Sequence, residues 1–373
     1  MRTQRLVPWT ATCLLSLTAV SAPSAAEVVK RISVEGVYDN NTFKSFDRRA
    51  DVFTQTSLYL ARRDTSAKSG LDCFYNGDIG LFVRAGQRHF TTHHVGVTYV
   101  RLLGEAGHLL SAGWNFGGRW DRASFSYYDN VDASFYTALK LSLPGLSSLR
   151  ASYRLTRRKY LHLDASSYQE HLITLTCNTP LSDRTALRAD VTYGHKGYTL
   201  SLLPTSPDAL PSGSPDKDQV ALGLRLSRSL SPSAGVNVQY LLRLNPSAGG
   251  RYQPGLGTGY AEDDDLFDDR YDYEGNEFSG GASQLLPLGS KLTVEAAYLI
   301  KDYRGKPALD LDGFPLGVDR RDRKRSLSAG VEMPLGMSME LDLWYSCATN
   351  VSNDPFYAYR GNHAFSVGLS REF

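Results

Sequence analysis

Polar and apolar side chains alternate along most of this chain, and that period of two constrains the fold more than any other feature. In 218–230 the apolar set is Val220, Leu222, Leu224 and Leu226, set against Ala221, Gly223, Arg225 and Ser227. In 235–246, Val236, Val238, Tyr240, Leu242 and Leu244 alternate with Asn237, Gln239 and Arg243. In 130–142, Val131, Ala133, Phe135, Leu139 and Leu141 alternate with Asp132, Ser134 and Lys140. Successive side chains of a strand point to opposite faces, so each segment reads as a strand with one oily and one polar face. No apolar run after residue 26 approaches the ~20 residues of a membrane helix. A closed sheet also crosses a bilayer, and its strands are never oily for long.

The connections carry a second rhythm. Short segments rich in Gly, Pro and Ser recur at 104–108, 143–148, 179–184, 229–234, 286–291 and 333–338. Longer polar segments lie between them, at 120–130, 199–218, 246–274, 304–321 and 350–361. Tight turn, strand, long loop, strand is the pattern of an up-and-down transmembrane antiparallel β-barrel. A propeller blade, which also repeats at ~40 residues, has three tight hairpins and does not fit. Strands are expected at 29–40, 50–62, 70–84, 93–103, 108–119, 130–142, 148–160, 167–179, 185–198, 218–230, 235–246, 275–286, 291–303, 322–333, 337–349 and 362–373. The count is about 16, with even counts from 14 to 18 compatible, and it places both chain ends on the periplasmic side.

Both ends fit that expectation. Arg2 and Arg5, the apolar run Leu14–Val20 and the small residues Ser24, Ala25 and Ala26 have the layout of a signal peptide. Cleavage is expected after Ala26, which makes 1–26 the signal peptide and 27–373 the barrel. At the other end, SVGLSREF places Phe365, Val367, Leu369 and Phe373 at every second position. This ending resembles the C-terminal assembly signal of outer-membrane proteins, read by the barrel assembly machinery; Arg371 stands where such signals carry an apolar residue. Asp322 near Arg320 and Arg325, followed by Ser352-Asn353, Tyr357-Ala358-Tyr359-Arg360 and Asn362, is similar to the barrel end of the surface lipoprotein assembly modifier family. The resemblance covers about the last 50 residues of a barrel of this kind and implies kinship of barrels. The expected location is the outer membrane of a Gram-negative bacterium, in contact with its lipid and lipopolysaccharide.

Aromatic residues near the outer strand ends, Trp114, Phe116, Tyr160, Tyr168, Tyr193, Tyr198, Tyr303, Tyr357 and Tyr359, are expected to form an interfacial girdle. Cys73, Cys177 and Cys347 share parity with apolar neighbours and have no CxxC spacing, so they read as small apolar residues. Without the two signal-peptide arginines, basic and acidic residues are equal at 39 each. That balance gives no basic footprint for nucleic acid.

Parity sorts the charges expected to line the interior. Arg150, Arg154, Arg158, Arg188, Lys196, Arg225 and Arg243 fall together on one wall, with Asp190 among them. Glu35, Asp72, Asp78, Glu340, Asp342 and Glu372 fall on the strands across the ring, with Arg31 and Arg84 among them. Opposed charges across a low-dielectric-walled channel produce a transverse field that orients dipolar solutes and filters ions. The expected role is a passive water-filled pore for small polar solutes. A barrel that assists export or assembly of surface proteins, or a structural or adhesive barrel, are the alternatives. The acidic run at 261–277 is expected to be a solvated outer loop, since its spacing is not that of a calcium loop. His162, Asp164, Ser166 and Ser167 lie close in sequence, but no nucleophile elbow flanks them. No catalytic, metal or cofactor motif is visible, and the chain is read as a non-enzyme.

Overall fold

The computed structural model describes residues 25–44, 46, 48–199, 216–246 and 269–373. Sixteen strands run in chain order: β1 (Ala25–Asp39), β2 (Asp51–Thr65), β3 (Ser69–Phe82), β4 (Phe90–Leu103), β5 (His108–Asp121), β6 (Asn130–Ser142), β7 (Ser148–Tyr160) and β8 (Tyr168–Ser182) make the first half. β9 (Thr185–Tyr198), β10 (Asp216–Ser231), β11 (Ala234–Leu244), β12 (Glu274–Leu285), β13 (Lys291–Leu309), β14 (Pro315–Gly336), β15 (Met339–Ser352) and β16 (Tyr359–Glu372) complete it. Each pairs antiparallel with its chain neighbour, and β1 pairs with β16, so the sheet closes and has no free edge. Closure satisfies every ladder hydrogen bond without water, which a bilayer interior requires.

The register fixes the shape. Followed once around the ring, the pairing returns to β1 displaced by about 20 residues. With ~3.3 Å per residue and ~4.8 Å between strands, that stagger gives a tilt of about 40° and a backbone radius of about 16 Å. A ring that wide cannot be filled by its own side chains, so it encloses a lumen.

Register also decides what each face carries. In the β10–β11 hairpin, Leu222 pairs with Leu242, Leu224 with Tyr240 and Leu226 with Val238, all on the outside, while Arg225 pairs with Gln239 on the inside. The outward series of β1 and β16 is apolar, with Ile32, Val34, Phe365, Val367 and Leu369 exposed beyond what a soluble protein leaves uncovered in a row. Cys73 and Cys177 stand exposed on this outer face, Cys347 is half-exposed there, and all three thiols are free. On the inside, small residues make room for rings. A Cβ at Gly330 would collide with the Trp344 ring across the β14–β15 ladder, and the same holds for Gly113 beneath Tyr136.

The strand boundaries agree with expectation to within a few residues, except in the β13–β14 hairpin. The segment 304–321, expected as a loop, is mostly ladder, with the turn confined to 310–314. Gly305 and Gly317 adopt positive φ, and the register slips around Pro307. Glycine and proline read as a loop in sequence because regular strands avoid them, but bulges accommodate both. The short turn at 66–68 between β2 and β3 carries neither glycine nor proline and gave no sequence signal.

Candidate pore lining

All the basic residues assigned to one wall lie on the inner face. On β7, Arg150, Arg154 and Arg158 alternate with the outward Ala151, Tyr153, Leu155 and Arg157. Arg188 and Lys196 on β9, Arg225 on β10 and Arg243 on β11 share that face. Glu35, Asp72, Asp78, Glu340, Asp342 and Glu372 also point inward, from β1, β3, β15 and β16. β7 stands half the ring away from β15, as β10 does from β2.

Local pairing divides these charges into two groups. Arg158 lies 4.0 Å from Asp132, Arg188 2.8 Å from Asp190, Arg243 3.3 Å from Glu277 and Lys196 2.5 Å from Asp269. Asp72 is 3.3 Å from Arg63 and Glu372 2.6 Å from Arg31. Asp78 is saturated by neutral donors, accepting from Ser57 at 2.6 Å, Thr92 at 2.7 Å, Asn76 at 3.2 Å and Gln55 at 3.3 Å. Among the described residues no carboxylate pairs with Arg150, Arg154 or Arg225, and no cation with Glu35, Glu340 or Asp342. Arg150 even faces Lys140 directly across the β6–β7 ladder, and Arg225 faces Arg188 across β9–β10. Asp342 faces Glu332, and Gly368 beside it leaves the gap through which Glu35 approaches. Allowing for the tilt, the six unmatched charges lie within about 12 Å of one another in height.

A recess of about 260 Å³ opens in the inner wall between β10 and β14, lined by Arg225, Gln239, Glu277, Glu295, Ser326 and Ser328. Glu277, the last residue of the acidic run expected to be a solvated outer loop, instead faces inside from β12; Glu295 and Glu170, not singled out in sequence, share that face by strand parity.

The loop end of the barrel differs from expectation in two ways. Of the expected girdle, Trp114, Phe116 and Tyr193 do face outward and are exposed, but Tyr160, Tyr168, Tyr198, Tyr303 and Tyr359 are buried. Tyr160 has the parity of Arg158, and Tyr198 that of Lys196, so the inside claims them; a one-residue step separates the two faces. Tyr128, Tyr160, Tyr168 and Tyr198 form one packed cluster within the rim. The described end of the acidic segment is also not solvated. Asp269 accepts from Lys196 at 2.5 Å and from Tyr198 at 2.6 Å, Arg270 pairs with Glu170 at 2.5 Å, and Lys217 lies 4.0 Å from Asp272. Asn245 donates to the carbonyls of Tyr271 and Tyr273 at 2.8 and 2.6 Å. This turn is pinned against the inner rim of β8–β11, where burial and then the neighbouring Glu170 push the Tyr271 phenol well above its ordinary value. Residues 261–268 lie outside the described residues.

His162 reaches Asp129 at 3.4 Å, not Asp164, and the Ser167 hydroxyl accepts the Tyr160 amide at 3.0 Å. The residues therefore do not assemble into a nucleophile–base pair.

A closed sixteen-strand antiparallel ring, apolar outside and charged inside, defines an up-and-down transmembrane β-barrel. The chain is similar in fold to OpdQ of Pseudomonas aeruginosa, at 12% identity, covering 93% of this chain and 98% of that one with a TM-score of 0.53. It is similar to OpdL of the same organism, at 13% identity, 93% and 98% coverage and a TM-score of 0.53. It is likewise similar to OccAB3 of Acinetobacter baumannii, at 11% identity, 93% and 99% coverage and a TM-score of 0.52. No family model matches the sequence, and no curated protein matches it.

Proposed function

We propose that this barrel is a passive outer-membrane pore for small polar solutes. One observation carries the reading: unmatched cations on β7 and β10 and unmatched anions on β1 and β15 stand on opposite sides of a lumen whose wall is apolar on its outer face. Charges left unpaired inside a wide ring act on whatever passes between them, by size exclusion and by the field. The likeness in fold to OpdQ and OpdL, over 93% of this chain, supports the closed barrel architecture that this reading needs. The reading includes removal of 1–26 as a signal peptide and insertion through Phe365, Val367, Leu369 and Phe373 by the assembly machinery. It assigns no catalytic residue.

The likeness of the last fifty residues to surface lipoprotein assembly modifiers has a packing explanation. Arg320 pairs with Asp322 beneath the Tyr357 ring, Asn353 bonds the Arg321 amide at 2.7 Å, and Asn362 bonds Asp39 at 2.6 Å. These contacts tie the loops over the β14–β16 and β1 closure, which supports a structural role for these residues in the barrel. Liposome swelling tests the function: reconstituted protein admits small sugars and excludes large ones, whereas an export or adhesive barrel leaves the liposomes unresponsive to all of them.

A further inference from the structure

The outer face of β14 carries a row of three arginines above its apolar residues. Its outward series begins Leu335, Met333, Val331, Ala329 and Leu327, then continues as Arg325, Arg323 and Arg321. Ten residues from Leu335 to Arg325 rise about 33 Å along the strand and about 25 Å along the barrel axis at the tilt given above. That is the height of the apolar band of such barrels. The three arginines therefore follow one another at the level where acyl chains give way to headgroups, and all three are exposed.

Their surroundings leave them unevenly matched. Arg321 lies 2.6 Å from Asp302 on β13. Arg325 stacks over the Tyr298 ring at 5.6 Å. Arg323, between them, is flanked in the ladder by Ile300 on one side and Val351 on the other, and pairs with no carboxylate among the described residues. A net surplus of guanidinium charge is thus held in a row, with neighbours that offer it an apolar bed rather than a counter-charge. Guanidinium groups carry fixed forks of donors that match phosphate oxygens two at a time, and adjacent forks on one strand face can share a phosphate.

We propose that Arg321, Arg323 and Arg325 form a docking site for the phosphorylated headgroup of an outer-leaflet lipid, with the tyrosine and aliphatic side chains beneath them receiving its acyl chains. The proposal rests on the outer-membrane reading above and specifies a lipid partner for it. The charge sign selects an anion, and the position against an apolar band selects a lipid over a soluble phosphate.

The test uses the folded barrel in detergent, titrated with diphosphoryl lipid A and with the same lipid stripped of phosphate, and read by native mass spectrometry. Folding is checked by mobility in unheated gels. The wild type is expected to prefer the phosphorylated lipid at least tenfold. R323Q/R325Q loses that preference, while R101Q, an outward arginine at the opposite rim, keeps it. Equal binding of both lipids by the wild type, or an unchanged preference in the folded R323Q/R325Q variant, overturns the site. Channel conductance of the same preparations separates the two claims: a barrel that conducts without choosing phosphate defeats the lipid site alone, and one that chooses phosphate without conducting defeats the pore alone.

Discussion

Neutralising Arg150, Arg154 and Arg225 together tests the transverse field where local pairing does not mask it. With a backbone radius of about 16 Å and side chains reaching inward, each guanidinium stands about 10 Å from the barrel axis. At that distance a unit charge acts on a monovalent ion by about 0.4 kcal/mol in water, and by about 0.15 kcal/mol after screening in 0.1 M salt. Three such charges change the axial potential by about 0.45 kcal/mol, which alters the cation-to-anion ratio at the axis about fivefold. In 1 M salt the Debye length falls to ~3 Å and the change shrinks to about 1.2-fold. Reversal potentials across a planar bilayer under a KCl gradient read this ratio. The triple glutamine variant should become several-fold more cation-selective at low salt and lose the difference at high salt. The charge-conserving double variant Arg158→Gln/Asp132→Asn, which removes a paired cation together with its partner, should change little. An unshifted reversal potential at 0.1 M, or one equally shifted at 1 M, refutes the reasoning.

Three further outcomes follow from particular contacts. Asp269→Asn removes the carboxylate charge 2.5 Å from the buried Lys196 ammonium, a loss of about 3–5 kcal/mol for such a pair; the turn at 269–273 should detach, seen as new protease cleavage there with the strands intact. Gly330→Ala forces the Trp344 ring aside and should cost about 1–3 kcal/mol, read as a lower urea midpoint together with a shift in tryptophan emission. Burial and the nearby Arg122 guanidinium hold His89 below its ordinary value, and its Nδ1 accepts the Phe82 amide at 3.0 Å. Because the folded value is the lower one, this contact is intact above pH ~6.5 and is lost as pH falls through the folded value. Protection of the Phe82 amide, corrected for intrinsic exchange, should drop over that range, and His89→Gln should abolish the pH dependence.

Much of the barrel was legible because a membrane imposes one rule on every strand. Val220, Leu222, Leu224 and Leu226 had to share a face, and that face had to be the outer one. Parity also placed Arg150, Arg154 and Arg225 inside without any knowledge of the ring. What parity could not supply is which neighbours neutralise one another: Arg158 met Asp132, and Arg243 met Glu277, only once register was fixed. The tyrosines failed for a different reason. Tyr160 and Tyr198 suit an interface by composition, but one residue along the strand decides whether a ring meets lipid or the rim cluster. The burial of Asp269 and Asp272 was hidden because their partners, Lys196 and Lys217, are distant in sequence, and an acidic run reads as solvated when those partners are out of view.

The central claim is that the apolar side chains meet acyl chains while the charged side chains meet water, and thiol accessibility tests it most directly. In proteoliposomes, Cys73, Cys177 and Cys347 on the outer face should resist a charged, membrane-impermeant maleimide. A cysteine-free variant carrying S328C, inside the ring, should react within the time of free thiols in solution. Rapid labelling of Cys73, Cys177 and Cys347 together with protection of S328C would contradict the account.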